Sequence, residues 1–201
     1  MQKITQAPTH RLIVLFILLD AVAFVCYHFY LNGTLDSRFF RLGRDRGLFE
    51  VIEYFKFYII IAVFWHNWRI SSEKLMKAWA VFFIVMLIDN AVGVHEELGE
   101  LLAHFAPVPD LGLERSKDVA ELAIIALLVG PSFGWVVLQY FQASAPYRQI
   151  SIGLVAVVGT LGITSVTLDA LHSSLEEYVE VFGMTAMMAF VHFVFRRLKQ
   201  C

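Results

Sequence analysis

Apolar runs of bilayer-crossing length recur along this chain, and acidic side chains sit inside or against them. Residues 150–168 and 181–195 are two such runs, and the segment joining them carries Asp169, His172, Glu176, Glu177 and Glu180. A membrane-spanning helix needs roughly 17–25 mostly apolar residues. Two runs near that length, joined by so short a polar segment, fold back as a tight hairpin. An Asp, a His and three Glu are thereby gathered at one end of it. Charge beside hydrocarbon is expensive, so an intramembrane acid or histidine is a functional candidate by default.

The remainder of the 201 residues follows the same plan: 58% are hydrophobic and only 17% charged, against about 45–50% and about 25% in soluble domains. The sequence therefore predicts an all-α polytopic membrane bundle forming a single integral membrane domain over residues 1–201. No basic stripe points to nucleic acid, and Cys26 and Cys201 make no disulfide framework. Six transmembrane helices are expected, near residues 12–31, 48–68, 75–94, 117–141, 150–168 and 181–195. The first lacks a small-residue cleavage site and reads as a retained span rather than a signal peptide. The third is expected to continue to about His104, because Glu96, Glu97, Glu100 and His104 recur at helical spacing before Pro107 and Pro109 end the helix. Pro131 is expected to bend the fourth.

Loop charges orient the bundle. The side holding both termini carries nine Lys and Arg, and the other side six, four of them in the first loop as Arg38, Arg41, Arg44 and Arg46. Cytoplasmic loops carry the excess of Lys and Arg. Both termini are thus expected in the cytoplasm and the protein in the plasma (inner) membrane.

An internal repeat is legible in the acids. Odd-numbered spans read Leu19-Asp20-Ala21, Ile88-Asp89-Asn90 and Leu168-Asp169-Ala170, each followed by a histidine: His28, His95 and His172. Even-numbered spans open with an acid three residues before a glutamate: Glu50 and Glu53, Asp118 and Glu121, Glu177 and Glu180. Residues three apart share a helix face. The chain reads as three hairpin repeats, over about 12–68, 75–141 and 150–198, each with an Asp on one helix and a Glu on the other. In membrane proteins, internal repeats place functional sites at the repeat interface.

The first acid of each even-numbered pair has a simple explanation at a helix start. Ser174-Leu175-Glu176-Glu177 is a capping-box pattern, and Asp118 follows the capping candidate Ser116. Glu53, Glu121 and Glu180 lie more than a turn further in, where capping no longer serves. Fifteen residues separate Glu53 from Trp68, roughly 22 Å of a hydrocarbon core about 30 Å thick. These glutamates, with Asp20, Asp89 and Asp169, are expected inside the membrane and facing inward. Like charges so close raise one another's pKa, so cations or protons must accompany them. Lys56, three residues after Glu53 on the same face, is the evident charge partner.

Asp169-x-x-His172 varies the Glu-x-x-His pattern by which helix bundles hold paired iron or manganese. His95, six residues after Asp89, does not share its face in a regular helix, although Gly93 between them can loosen the turn. The expected metal set is Asp20, Glu53, Asp89, His95, Glu121, Asp169, His172, Glu177 and Glu180. Carboxylate with imidazole favours Fe, Mn or Zn, with Mg or Ca also compatible. The function read from this is a membrane metal-dependent enzyme, a hydrolase or oxidoreductase, whose site near one membrane face meets membrane lipids or a lipid-soluble small molecule. The rival is a cation- or proton-coupled transporter or channel using the same acids. An oligomer is compatible with either.

Overall fold

The computed structural model describes residues 10–41, 47–105, 116–170 and 175–198. They are helical apart from short connections: α1 (His10–Leu31), a 3-10 turn (Arg38–Phe40), α2 (Leu48–Ser71), α3 (Lys74–Val92), α4 (Val94–Phe105), α5 (Ser116–Gln142), α6 (Ala145–Ala170) and α7 (Leu175–Leu198). Among them, five stretches are long and apolar enough to cross a membrane: His10–Leu31, Lys74–Val92, Val119–Tyr140, Ala145–Thr164 and Tyr178–Arg196. The protein is thus built as a multi-pass membrane protein. The expected third span is corrected at its end. It stops at Val92, and Gly93, at φ 70°, caps it in the left-handed region that glycine adopts without strain. A separate helix, α4, begins at Val94. α5, by contrast, runs unbroken through Pro131, and the Ser132 hydroxyl beside it donates to the Val129 carbonyl (2.7 Å).

The chain divides into two compact units, Met1–Val63 with Ala145–Cys201, and Phe64–Ser144. The second unit is built on α5, which packs against both α3 and α4. Aromatic rings fill its base, Phe64, Trp79 and Phe83 stacking with centroids 5.7–6.3 Å apart. The Lys77 ammonium lies 4.9 Å from the Trp68 ring centre, an arrangement the ring quadrupole favours.

In the first unit, α7 packs against both α1 and α6. Small residues permit the α6–α7 approach, because a Cβ on Gly153 would collide with Phe190 and one on Gly183 with Leu161. α1 buries a single stripe, Ile13, Phe16, Asp20 and Ala23, at the three-and-four spacing of one helix face. Its other faces present Val14, Leu15, Leu18, Val22 and Val25 outward, as suits a helix sided by lipid.

An acid in the middle of that stripe needs a partner, and Lys56 of α2 provides it. The ammonium lies 2.8 Å from Oδ1 and 3.0 Å from Oδ2 of Asp20, and donates its remaining hydrogen to the Val181 carbonyl of α7 at 2.9 Å. An ammonium has three donors, and all are used. Thr185, one turn along α7 from Val181, donates its hydroxyl to Asp20 Oδ2 at 2.6 Å. Asp20 and Lys56 are both 0% exposed. Lys56 is therefore the charge partner the sequence indicates, but its ion pair reaches across to α1. Glu53, buried on the same face of α2, is its neighbour rather than its salt-bridge partner.

Removing one member of a buried pair strands the other, at a cost on the order of 3–5 kcal/mol. Lys56→Met should accordingly lower the thermal unfolding midpoint of the detergent-purified protein severely. Adding Asp20→Asn should recover much of that loss, and more than adding Glu53→Gln does. Equal recovery by the two second changes would contradict the assignment of Asp20 as the partner.

Candidate functional site

Asp89, which the sequence pattern sets beside Asp20, is held quite differently. It lies in the last turn of α3 and is 6% exposed. The left-handed turn at Gly93 reverses the chain just enough to return the start of α4 to it. Gly93 N–H donates to the Asp89 carbonyl (2.7 Å), closing α3. The Asp89 carboxylate then caps α4: Oδ1 accepts the His95 backbone N–H at 3.0 Å, while Oδ2 lies 3.0 Å from His95 Nδ1. A side-chain oxygen on an early backbone N–H of a helix satisfies one of its unpaired donors. The same carboxylate thus does two jobs, capping a helix and orienting an imidazole.

That orientation has chemical content. A carboxylate accepts, so Nδ1 carries the proton toward Asp89, and in the neutral ring the lone pair then sits on Nε2. The His95 side chain is 23% exposed, against 8% for Asp89, so the ring leads from the packed interior to the surface. Nε2 stands 3.9 Å from Glu96 Oε1, outside hydrogen-bond range. The arrangement is that of a histidine held by a carboxylate, used both to orient metal ligands and to orient general bases.

The neighbourhood is shaped by α5. Gly99 follows His95 by four residues, so the two share a face of α4. A Cβ on Gly99 would meet Glu121 of α5, with the Glu121 backbone N and Cα only 2.9 Å away. Glu121 is half-buried there. Gly99 therefore sets how closely α4 approaches α5 beside this carboxylate.

The other expected ligands fall elsewhere. Asp20 and Glu53 lie with Lys56 in the first unit. Glu180, expected to face inward, is corrected: it lies on the exposed side of α7, because the inner stripe of that helix is taken by Val181, Met184, Thr185 and Met188. His172 lies outside the described residues, as do the side chains of Asp169 and Glu177. Among the described residues, no three His, Cys, Asp or Glu side chains gather closely enough to hold a metal ion. Sequence reasoning missed Thr185 and the Val181 carbonyl, since a threonine in an apolar helix and a backbone oxygen leave no distinctive signal. No family model, curated protein or solved structure matches the chain.

The contact at Gly99 is testable. Gly99→Leu should force α4 away from α5, lowering the unfolding midpoint by an amount consistent with about 1–3 kcal/mol for overpacking. Gly134→Leu serves as the control, because nothing lies within 4 Å of a Cβ placed there. An equal loss in both variants would mean that close approach at Gly99 is not what the glycine provides.

Proposed function

We propose that this chain is a plasma-membrane protein of six spans, both termini cytoplasmic, and that the Asp89–His95 pair is the centre of a metal-dependent site acting on a lipid-soluble substrate. The observation that carries the proposal is the imidazole itself, its Nδ1 fixed by a buried carboxylate, so that in the neutral ring Nε2 is the nitrogen available to a ligand. The sixth span is α2. It has 24 residues, about 36 Å of helix, and its Lys56 is neutralised by Asp20. The threefold hairpin repeat belongs to the same reading, with Asp20 and Asp89 at matching positions of successive hairpins.

A divalent ion would take its nitrogen from His95 and, since no three such side chains are gathered among the described residues, its oxygens only once a carboxylate such as Glu96, whose Oε1 lies 3.9 Å from Nε2, swings onto it. Asp89 would remain the outer partner that fixes the tautomer. Such an ion, when bound, lowers the pKa of a coordinated water and polarises a carbonyl or phosphoryl oxygen. The chain's own part is to hold the imidazole in one orientation at the junction of α3 and α4. A carrier of cations or protons needs acids that change partners. Asp20, gripped by Lys56 and Thr185 at once, is placed for permanence, which favours the fixed-site reading.

Elemental analysis of protein purified in mild detergent without chelator tests the proposal. Iron, manganese or zinc should accompany the wild-type chain, and chelation should lower its unfolding midpoint, since an ion bound only to the folded state stabilises it. His95→Ala should lose the metal. Asp89→Asn should weaken binding by about 10–100-fold, the usual effect of removing an outer partner. A metal-free wild-type protein, or a His95→Ala protein with its metal intact, would overturn the metal reading.

A further inference from the structure

The arginine-rich first loop is an anomaly under the loop-charge orientation, because it puts four arginines on the side with the smaller total. Its described part is not a loose tail. Gly33, at φ 69°, turns the chain at the end of α1. Gly33 N–H donates to the Tyr30 carbonyl (3.0 Å), and Thr34 and Leu35 N–H both donate to the Phe29 carbonyl (2.9 and 3.2 Å). Backbone hydrogen bonds therefore fold the loop onto the last turn of α1. The 3-10 turn Arg38–Phe40 follows, opened by Ser37, whose hydroxyl accepts the Phe39 N–H, and closed by Arg41 N–H donating to the Arg38 carbonyl at 3.0 Å. This turn packs against α1.

The turn presents a defined surface. Arg38 and Arg41 are exposed, and among the described residues neither has a carboxylate within ion-pair distance. Between them Phe39 is 41% exposed, resting edge-on to the half-buried Phe40 with centroids 5.5 Å apart. An outward phenyl ring flanked by two guanidinium groups, fixed at the end of an apolar helix, has two complementary surfaces. Apolar rings at that level enter the acyl boundary. Guanidinium groups pair with phosphate oxygens through two parallel hydrogen bonds.

We propose that the Arg38–Arg41 turn is a docking surface for anionic phospholipid headgroups in the leaflet where α1 ends. Phe39 enters the acyl boundary, and the two arginines clasp phosphodiesters on either side of it. This rests on α1 crossing the membrane and is independent of the metal-site reading. It also gives Arg38 and Arg41 a role other than orientation, as a contact with lipid on whichever face they lie.

The test compares unfolding midpoints of the full chain in detergent micelles doped with phosphatidylglycerol or, at equal total lipid, with phosphatidylcholine. Phosphatidylglycerol should raise the wild-type midpoint above the phosphatidylcholine value, by mass action on the folded state. High salt should erase the increment. Arg38→Gln with Arg41→Gln should keep the phosphatidylcholine midpoint and lose most of the increment, while Arg69→Gln with Arg148→Gln should retain it. Four results overturn the proposal: no preference for the anionic lipid in the wild type, an increment insensitive to salt, an increment lost only with the Arg69 and Arg148 changes, or the same rise with glycerophosphate, which would mark a simple anion site. The lipid and salt comparisons on the wild type can overturn the proposal by themselves, and Arg38→Gln and Arg41→Gln made singly, each expected to lose part of the increment, localise it if the double variant fails to fold. None of these failures bears on the metal content of the protein.

Discussion

A lysine ammonium fully enclosed among apolar helices is tolerable only if every one of its donors is met, and the first unit is arranged around meeting them. Charge transfer into a low-dielectric medium costs several kcal/mol per ion even after relaxation. Lys56 offsets that cost with both oxygens of Asp20 and the Val181 carbonyl. Thr185 then adds a hydroxyl to the same carboxylate. In a regular helix the Val181 carbonyl also receives the Thr185 N–H, so the two α7 contributions come from one turn of backbone. Polar groups on three helices thus close a ring in which α1, α2 and α7 each supply what the others lack. The aromatic contacts nearby, Phe24 stacked on Tyr178 and Phe182 and edge-on to Phe49, join the same three helices.

Asp89 sits in a similar short sequence, Ile88-Asp89-Asn90 beside Leu19-Asp20-Ala21, and serves a different end. Asp20 is wholly enclosed and saturated, whereas Asp89 faces an imidazole that leads outward. The difference is one of backbone. α1 runs straight past Asp20, so only side chains from other helices can reach it. α3 stops four residues after Asp89 at a glycine cap, and the chain itself returns with His95. A structural acid and a chemically available one arise from similar short sequences because one helix continues and the other is broken.

Much of the helical plan was legible, since long apolar runs bounded by proline, glycine and charge leave few alternatives. Ala145 and Pro146 begin α6 several residues before its apolar run, as proline in a first helical turn does readily. Lys56 stood out as the buried cation, but proximity along α2 pointed to Glu53, and no single sequence shows which helix will lie opposite. The Asp89–His95 contact was half visible. Six-residue spacing argued against a shared face, and Gly93 was the signal that the face argument would not apply. The acids at 96, 97 and 100 kept helical periodicity across that glycine, so the break between α3 and α4 was hidden by a pattern that simply resumes after it. Glu180 was misread for a related reason: depth along a helix says nothing of which side a residue occupies.

In the proposed six-span arrangement, Asp20 allows the charged helix α2 to cross the membrane by pairing with Lys56. A lysine near the middle of a span opposes insertion by about 2.5–3.5 kcal/mol, and α2 is not among the helices apolar enough to cross unaided. Glycosylation mapping in microsomes measures this directly, with one acceptor site placed in the first loop beside Asp36 and another in the α2–α3 turn beside Ser72. In the wild-type chain the first acceptor should be modified and the second not, placing α2 across the membrane with the amino terminus cytoplasmic. With Asp20→Leu the second acceptor should become modified as α2 fails to cross. An unchanged pattern in Asp20→Leu would contradict the account, as would modification of both acceptors in the wild type.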